Sequence, residues 1–267
     1  MGTKPVDAFR VGRQPTYMKL ITLNIWGGRI RQPLLDFMEA HQDIDIFCLQ
    51  EVHRKAFSTI CTLDGFEVSL DTFSDIQARL PNHQGFFRPV VNNSYGIGMF
   101  VKNSIRIIGE GEVQIHDNPN YPGMGPTHQR NLQWVRFQEN NQTYTVANVH
   151  GLWNGQGKTD THERITQSKK IKNFLNTCDG PKILCGDFNL KPDTESVKIL
   201  EVGMTNLIKT HQVTSTRTSF YDKDEKFADY VFVSPEISIN HFEVMKDEVS
   251  DHAPLLLDFE KSCDFRN

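Results

Sequence analysis

The chain has 267 residues, 38% of them hydrophobic, and a formal net charge of −4 at pH 7. This is enough apolar sequence for one large or two small domains with a real core. The mild acidity argues against extensive binding along a nucleic-acid duplex, for which a basic face is expected. No run approaches the roughly 20 apolar residues that a spanning helix needs, so we expect no membrane span.

Short apolar runs, many of them β-branched, are the main secondary-structure signal along the chain. We predict eight strands, several of which are apolar on both faces and should therefore be central in a sheet. In chain order they are Leu20–Ile25, Ile44–Leu49, Gly96–Val101, Leu132–Phe137, Tyr144–Val149, Ile183–Cys185, Tyr230–Val233 and Leu255–Phe259.

Helical patterns are fewer. The segment 33–41 has a proline near its first turn, 162–178 carries an apolar stripe, and 193–202 begins with a capping residue, Asp193 or Thr194. Many strands with few helices predict two packed sheets with helices on the outer faces.

Two polar segments, Asp71–Pro89 and Asp117–Gln129, have the composition of long loops, which often frame a site. No repeat or linker divides the chain, so we expect one domain over residues 18–260. The polar residues 1–17 predict a flexible leader without a signal region, and residues 261–267 a tail. Five scattered cysteines fit a reducing, cytoplasmic location. We also expect a monomer with no obligate protein partner.

Polar side chains recur where predicted strands begin or end. Carboxylates, amides and imidazoles at such positions can hold a divalent metal and an activated water beside a phosphate. Each one alone is more often a loop cap or a satisfied core residue, but together they predict a single site. They are Asn24, Glu51, His150, Asp187, Asn189, Asp229, Asp251 and His252.

Six short motifs in the chain resemble, in order, those of the endonuclease/exonuclease/phosphatase superfamily. Any one motif is weak, but the ordered set spans about Lys19 to Phe259. The resemblance implies an α/β (α+β) fold, a four-layered sandwich of two packed mixed sheets flanked by helices, with the site at one end. The motifs are Thr22-Leu23-Asn24, Leu49-Gln50-Glu51-Val52, Asn148-Val149-His150, Gly186-Asp187-Phe188-Asn189, Asp229-Tyr230-Val231-Phe232-Val233 and Ser250-Asp251-His252.

The resemblance also implies a metal site. Glu51 would bind Mg²⁺, or Mn²⁺ as an alternative, and Asn24, beside it, would belong to the same metal site. Asp251 would help to bind the metal or to position His252. Mg²⁺ prefers oxygen ligands and usually keeps waters while using one or two carboxylates and substrate phosphate. Several carboxylates packed together would repel one another, so a cation among them is also expected on physical grounds.

The remaining motif residues would be catalytic. Asp187 would orient or deprotonate the attacking water, and Asn189 would hold that water or a phosphate oxygen. His252, oriented by Asp229, would contact the phosphate or protonate it. His150 would add a donor to the charge that develops on the phosphoryl group.

Three basic residues and one tryptophan are candidates for substrate contact. Arg130 precedes a strand, while Lys158 and Arg164 lie close to the start of the second predicted helix, so each could hold a non-reacting phosphate oxygen. Solvated charges or an ion pair at the helix start explain them equally well. Trp153 could stack on a base, although packing at the sheet end is the simpler explanation.

The substrate is less clearly indicated than the chemistry. The position of His150 suits the deoxyribonuclease, sphingomyelinase and tyrosyl-DNA phosphodiesterase branches better than the apurinic branch. The segment His150-Gly151-Leu152-Trp153 departs from the commoner His-Leu, which bears on the shape of the adjacent pocket. The lack of a strongly basic insertion disfavours a duplex endonuclease, and the lack of a long apolar loop disfavours a sphingomyelinase.

Together these features predict a Mg²⁺-dependent phosphoester hydrolase of the nuclease or phosphodiesterase type, working by in-line attack of water. Its expected substrate is a nucleic-acid end, a short single strand or a nucleotide-like phosphodiester. A phosphodiesterase or phosphatase for a small-molecule or lipid-derived phosphate is the main alternative. A catalytically silent binding module and a glycosidase are weaker alternatives; the latter explains neither His252 nor Asn189.

Overall fold

The computed structural model describes residues 16–55, 65–139 and 141–261, and the backbone of 60–63. Nearly all of the expected leader and tail lie outside these residues. The described end of the leader is part of the fold, because Tyr17 pairs with Glu260 and strand pairing therefore begins before residue 18.

The first sheet has six strands, of which the first two in the chain are parallel neighbours. Its other neighbouring strands are antiparallel, so the sheet is mixed. Its spatial order is β13 (Ser238–Val244), β14 (Leu255–Glu260), β1 (Tyr17–Asn24), β2 (Ile46–His53), β6 (Tyr95–Lys102) and β5 (His83–Val91).

The second sheet also has six strands and one central parallel pair. Its other pairs are antiparallel. Its spatial order is β11 (Thr205–Asn206), β12 (Asp229–Val233), β10 (Lys182–Asp187), β9 (Gln142–His150), β8 (Arg130–Glu139) and β7 (Ile107–His116).

Helices connect the strands of each parallel pair and cover the outer faces. A hairpin of β3 (Ile60–Leu63) and β4 (Phe66–Ser69) lies apart from the two sheets. The helices are α1 (Arg31–Ala40), between β1 and β2, α2 (Thr72–Arg79), α3 (His162–Asn176), between β9 and β10, α4 (Glu195–Glu201) and α5 (Leu207–Thr210); Trp26–Gly28 forms a 3-10 turn.

The alternation of strand side chains builds the layers. Leu20 of β1 joins the cluster between the sheets, while the next residue, Ile21, packs with Leu34 and Phe37 of α1 on the outer face. On the far side of the second sheet, Ile171 of α3 belongs to the same cluster as Leu20, which therefore includes side chains on both faces of that sheet. The result is the expected sandwich of two mixed sheets flanked by a few helices.

All eight predicted strands and all three predicted helices are present, with ends shifted by a few residues. Thr194 rather than Asp193 caps α4, because its side chain accepts from the Val197 N–H. Asp117–Gln129 is irregular, as predicted. The prediction of a loop over Asp71–Pro89 is wrong, since that segment forms α2 and most of β5. Among the described helices, none is long and apolar enough to cross a bilayer.

Candidate active site

A cavity of about 660 Å³ opens where the two sheets end together. The parallel pairs β1–β2 and β9–β10 direct their carboxyl ends toward it, so motifs that are distant in sequence converge there. Of the eight motif residues, six line the cavity: Glu51, His150, Asp187, Asn189, Asp251 and His252. Asn24 and Asp229 lie behind this layer and contact it through hydrogen bonds.

A β-bulge positions Glu51. The register between β2 and β6 shifts between Gln50 and Val52, and Glu51 has a φ of 60°. This left-handed conformation is uncommon for a residue with a side chain, and bulges often redirect a side chain next to a site. Burial, followed by the nearby Asp251 and Asp187, raises the pKa of Glu51 to about 7.

The side-chain amide of Asn24 links the two sheets. Its Nδ2 donates to Glu51 Oε1 at 3.0 Å and to Asp187 Oδ2 at 2.9 Å. Its oxygen accepts from the Trp26 N–H at 2.9 Å. The amide nitrogen thus faces the carboxylates, while the oxygen, the atom that could bind a metal, accepts from Trp26.

Asp187 ends β10 in direct register with His150 of β9. The preceding residue, Gly186, has a φ of +133°, and a Cβ there would lie 2.0 Å from the Val149 carbonyl oxygen. Only glycine therefore lets the two strand ends approach this closely. Asp187 Oδ1 accepts from the Asn189 N–H at 2.8 Å, so each of its carboxylate oxygens has a donor.

His150 and His252 both present Nε2 to Asp187. Each Nε2 lies 3.8 Å from Asp187 Oδ2, beyond direct hydrogen-bond reach. His150 Nε2 is also 3.9 Å from Glu51 Oε1. Burial, and then the charge of Arg130, lowers the pKa of His150 well below its usual value, and the pKa of His252 is lowered to about 3. Both imidazoles are therefore neutral at pH 7 in this arrangement, and both Nε2 atoms face the same oxygen, Asp187 Oδ2.

Asp229 fixes the orientation of His252. The Nδ1 of His252 lies 2.8 and 2.9 Å from the two oxygens of Asp229, and the Thr216 hydroxyl donates to Asp229 Oδ2 at 2.8 Å. Burial raises the pKa of Asp229 to about 6, and burial followed by Arg217 accounts for the low pKa of His252. At neutral pH Asp229 is a carboxylate that accepts the Nδ1–H, which leaves Nε2 toward the cavity.

Asp251 is paired with a residue that the sequence did not single out. Arg217 Nη1 lies 3.3 Å from Asp251 Oδ2, and the guanidinium lies over the ring of Tyr221 at 4.0 Å. Both Arg217 and Tyr221 line the cavity. They come from an irregular segment between α5 and β12 that carries neither a motif nor a periodic pattern, so no signal in the sequence marks them.

The donor set fits a divalent cation. Glu51 is close enough to Asp187 and Asp251 for both to raise its pKa, so these carboxylates repel one another. Asp187, Asp229 and His252 also offer ligand atoms within 4.8 Å of one another, but both oxygens of Asp229 already accept hydrogen bonds. Glu51 and Asp251 also line the cavity, and a set of hard oxygen ligands of this kind suits a divalent cation.

Three of the four expected substrate contacts line the cavity: Arg130, Trp153 and Lys158. The Arg130 guanidinium is buried; Nη2 donates to the Pro126 carbonyl, whereas Nε and Nη1 have no hydrogen-bond partner among the described residues. Arg164 does not line the cavity. Its guanidinium is buried and holds the carbonyls of Leu152, Gly157 and Thr159, so it positions the loop before α3.

Two mixed sheets whose shared end carries buried carboxylates, an amide bridge and two imidazoles define an α/β sandwich of the phosphoesterase type. In agreement with this class, the model of the Endonuclease/Exonuclease/phosphatase family matches residues 21–252, and the chain belongs to that family. The members of this family are phosphoester hydrolases. Among curated proteins, no sequence matches the chain.

Solved structures of low sequence identity share the fold. An endonuclease/exonuclease/phosphatase from Bacteroides vulgatus is 20% identical with a TM-score of 0.68, the match covering 92% of this chain and 100% of that one. TDP2 of D. rerio, humanized by 14 mutations, is 16% identical at 0.70, covering 92% and 99%. The Bacteroides thetaiotaomicron mannosyl-6-phosphatase is 18% identical at 0.65, covering 91% and 99%.

Proposed function

We propose that the protein is a divalent-cation-dependent phosphodiesterase that hydrolyses a nucleotide-like substrate by in-line attack of water. The observation that carries this proposal is the setting of Asp187, whose two oxygens are held by Asn24 and Asn189 while two imidazole Nε2 atoms face it. A fixed carboxylate surrounded by neutral imidazoles can accept a proton from water beside a phosphoryl group.

Glu51 and Asp251 would hold the cation, and Asn24 would position Glu51. A bound Mg²⁺ or Mn²⁺ supplies positive charge to a phosphoryl oxygen and thereby lowers the cost of charge that develops during attack. It would also relieve the repulsion that raises the pKa of Glu51.

Three side chains of the protein would then have separate roles in the reaction. Asp187 takes a proton from the attacking water as the new phosphorus–oxygen bond forms. The opposite ester bond breaks, and the leaving oxygen takes a proton from solvent and departs as the alcohol. A phosphate anion beside His252 favours its imidazolium, because opposite charges stabilise the protonated form. The resulting Nε2–H donates to a phosphoryl oxygen, while Asp229 accepts the Nδ1–H and balances the charge.

The cavity wall supports a nucleotide-like substrate. Aromatic rings capable of stacking on a base line it, along with basic side chains that suit phosphate. Its volume of about 660 Å³ suits a small ligand or a chain end better than a duplex. The rings belong to Trp26, Tyr95, Tyr121, Trp153 and Tyr221, and the basic residues include Arg29, Arg130, Lys158 and Arg217.

The test is hydrolysis of a substrate panel with Mg²⁺, Mn²⁺ or a chelator. It contains bis-p-nitrophenyl phosphate, p-nitrophenyl phosphate, mannose 6-phosphate, single- and double-stranded oligonucleotides and a 5′-tyrosyl oligonucleotide. Asp187→Asn is the inactive variant, and Asp193→Asn, an exposed aspartate next to α4, is its matched control.

Cation-dependent cleavage of diesters that Asp187→Asn loses and Asp193→Asn keeps is the expected result. Cleavage of the monoesters alone would move the substrate to a sugar or other small phosphate. Hydrolysis of nothing in the panel would argue for a binding module. Glu51→Gln should raise the cation concentration needed for half-maximal rate, and an unchanged titration would remove Glu51 from the cation site.

A further inference from the structure

Two buried cations lie side by side at one wall of the cavity. Lys158 is 3% exposed and the Arg217 side chain 5% exposed, and both line the cavity. Both approach the same ring: the Tyr221 centroid lies 5.5 Å from Lys158 Nζ and 4.0 Å from the Arg217 guanidinium carbon. We call Lys158, Arg217 and Tyr221 the cationic wall.

Both cations of the cationic wall keep donor capacity that direct contacts with the described residues leave unused. Lys158 Nζ donates to the Phe227 carbonyl at 2.9 Å and forms no ion pair with any residue that the structure describes. Arg217 pairs with Asp251 through Nη1, while its buried Nε has no hydrogen-bond partner in the described part of the chain. Among the described residues, the two cations thus form one direct ion pair between them, although buried Lys and Arg side chains are normally paired.

The other acidic groups of the cavity act on Lys158 from beyond ion-pair distance. Glu225, which also lines the cavity, forms its ion pair with Lys191 at 2.9 Å. Burial, followed by Arg217, lowers the pKa of Lys158 to about 8, against the opposing effects of Asp187, Asp229 and Glu225. The ammonium is still mostly charged at neutral pH, so it is available to an anion.

The cationic wall adjoins the reaction centre without coinciding with it. Asp251, the partner of Arg217, has its other oxygen 3.9 Å from His252 Nε2. In the proposed mechanism, the reacting phosphoryl group has its own donor in protonated His252, whose Nδ1–H is held by Asp229. A second set of buried donors next to it is therefore left for a second anionic group.

The loop that carries Lys158 is rigidly held. Arg164 Nη1 donates to the carbonyls of Gly157 and Thr159, the residues on either side of Lys158, at 2.7 and 2.6 Å. The Lys158 carbonyl accepts from the Lys191 N–H at 2.8 Å. This support positions the ammonium before any ligand arrives, which favours tight binding of an anion.

We infer that Lys158 and Arg217 bind a second phosphate of the substrate, a terminal monoester next to the scissile diester. This inference rests on the proposed phosphodiesterase function and names its substrate class: short nucleotides that carry an end phosphate. Tyr221 lies against both cations. Removal of either cation's charge-assisted hydrogen bond to the end phosphate should weaken binding roughly 10- to 100-fold.

The experiment compares three dinucleotides: thymidylyl-thymidine, its 5′-phosphorylated form and its 3′-phosphorylated form. Values of kcat/KM are measured with Mg²⁺ for the wild-type protein and for Lys158→Gln. Lys169→Gln, which removes the same charge from an exposed position on α3, is the matched control. The wild-type protein and the control should prefer one phosphorylated form at least 10-fold, mostly through KM, and Lys158→Gln should lose most of that preference.

Equal kcat/KM for the three dinucleotides, or a preference that Lys158→Gln retains, would overturn the inference while leaving the proposed hydrolysis intact. Direct binding separates the two ideas further. Asp187→Asn protein is titrated with the same dinucleotides by calorimetry, with and without Lys158→Gln. Tighter binding of a phosphorylated form that depends on Lys158 supports the cationic wall even if turnover is absent, whereas equal binding refutes it.

Discussion

Asn24 and Asp187, 163 residues apart in sequence, are joined by a 2.9 Å hydrogen bond that crosses from the first sheet to the second. The same Asn24 nitrogen donates to Glu51 at 3.0 Å. One buried amide therefore sets the spacing between the carboxylate proposed for the cation and the carboxylate proposed for the water. Because Glu51 and Asp187 lie on different sheets, the packing of the two sheets determines the distance between these carboxylates.

Asn24→Ala should damage both activity and stability. Buried Asp187 and partly buried Glu51 each lose a donor, and an unsatisfied buried acceptor costs about 1–3 kcal/mol. We expect kcat to fall roughly 10- to 100-fold and unfolding free energy to fall by a similar 1–3 kcal/mol. Steady-state kinetics and urea denaturation measure the two effects.

Asn173→Ala, on the exposed face of α3, is the matched control for this substitution and should behave as wild type. If Asn24→Ala kept full kcat at saturating Mg²⁺, the amide bridge would be a structural contact without influence on the chemistry.

Asp229→Asn should lower kcat far more than it changes KM. The amide keeps the shape of the side chain but removes the negative charge that balances a protonated His252. A loss of about 10²-fold or more is expected where a carboxylate orients a catalytic imidazole. Thr216→Val, which removes the donor to Asp229 Oδ2, should have a smaller effect in the same direction. A KM change with constant kcat would contradict the orienting role.

The sequence was sufficient for the central strands and the motif residues, because these elements combine apolar β-branched runs with polar ends. It failed at the peripheral strands. In β7, glycines and charged residues mask the strand pattern. The Trp134 ring fills the space above Gly111, where a Cβ would lie 2.8 Å from it. A tertiary contact of this kind leaves no trace in local propensity.

The site shows the same division. Each motif residue could be assigned to the site from the sequence, yet Arg217 and Tyr221 could not, since an irregular segment brings them to the cavity. Arg164 illustrates the converse problem. Its charge and position suggested a phosphate contact, whereas its guanidinium is used by loop carbonyls that only the folded chain brings together.

Gly151→Ala should move the catalytic strand ends apart. A Cβ at Gly151 would lie 2.4 Å from the Phe188 carbonyl oxygen, too close for any real contact. The Gly151 N–H donates to the Asp187 carbonyl at 2.6 Å, and its carbonyl accepts from Asn189 Nδ2 at 3.3 Å. A backbone shift there displaces both residues, which explains why glycine follows His150 in this chain.

We expect Gly151→Ala to destabilise the protein by about 1–3 kcal/mol. The fold-decrease in kcat should be at least as large as the fold-change in KM. Gly109→Ala is the control, because a Cβ at Gly109 would make only ordinary contact with Trp134 at 3.5 Å. Thermal unfolding and kinetics on the two variants provide the comparison. Equal behaviour of both would mean that the β9–β10 end tolerates the added carbon.

The burial of Lys158 should make stability depend on pH in a defined direction. Its pKa is about 8 in the folded chain, against 10.5 for an ordinary lysine. Between these values the unfolded chain binds more protons, so the free energy of unfolding rises with pH from about 8 to 10.5. Below about pH 8 the folded protein carries the full destabilisation, roughly 3 kcal/mol at 1.36 kcal/mol per pKa unit.

Lys158→Met removes this proton-linked term. Relative to wild type, the variant should be most stable near pH 7 and should lose that advantage as the pH rises toward 10. The Phe227 carbonyl loses its donor at every pH. The informative quantity is therefore how the difference in unfolding free energy between variant and wild type changes with pH, not its absolute value. Urea denaturation at pH 7, 8, 9 and 10, with exposed Lys169→Met as control, measures it. If the free energies of unfolding of wild type and Lys158→Met changed with pH in parallel, the ammonium would not be destabilised in the folded chain. Burial of its charge would then give no energetic reason to expect a bound anion.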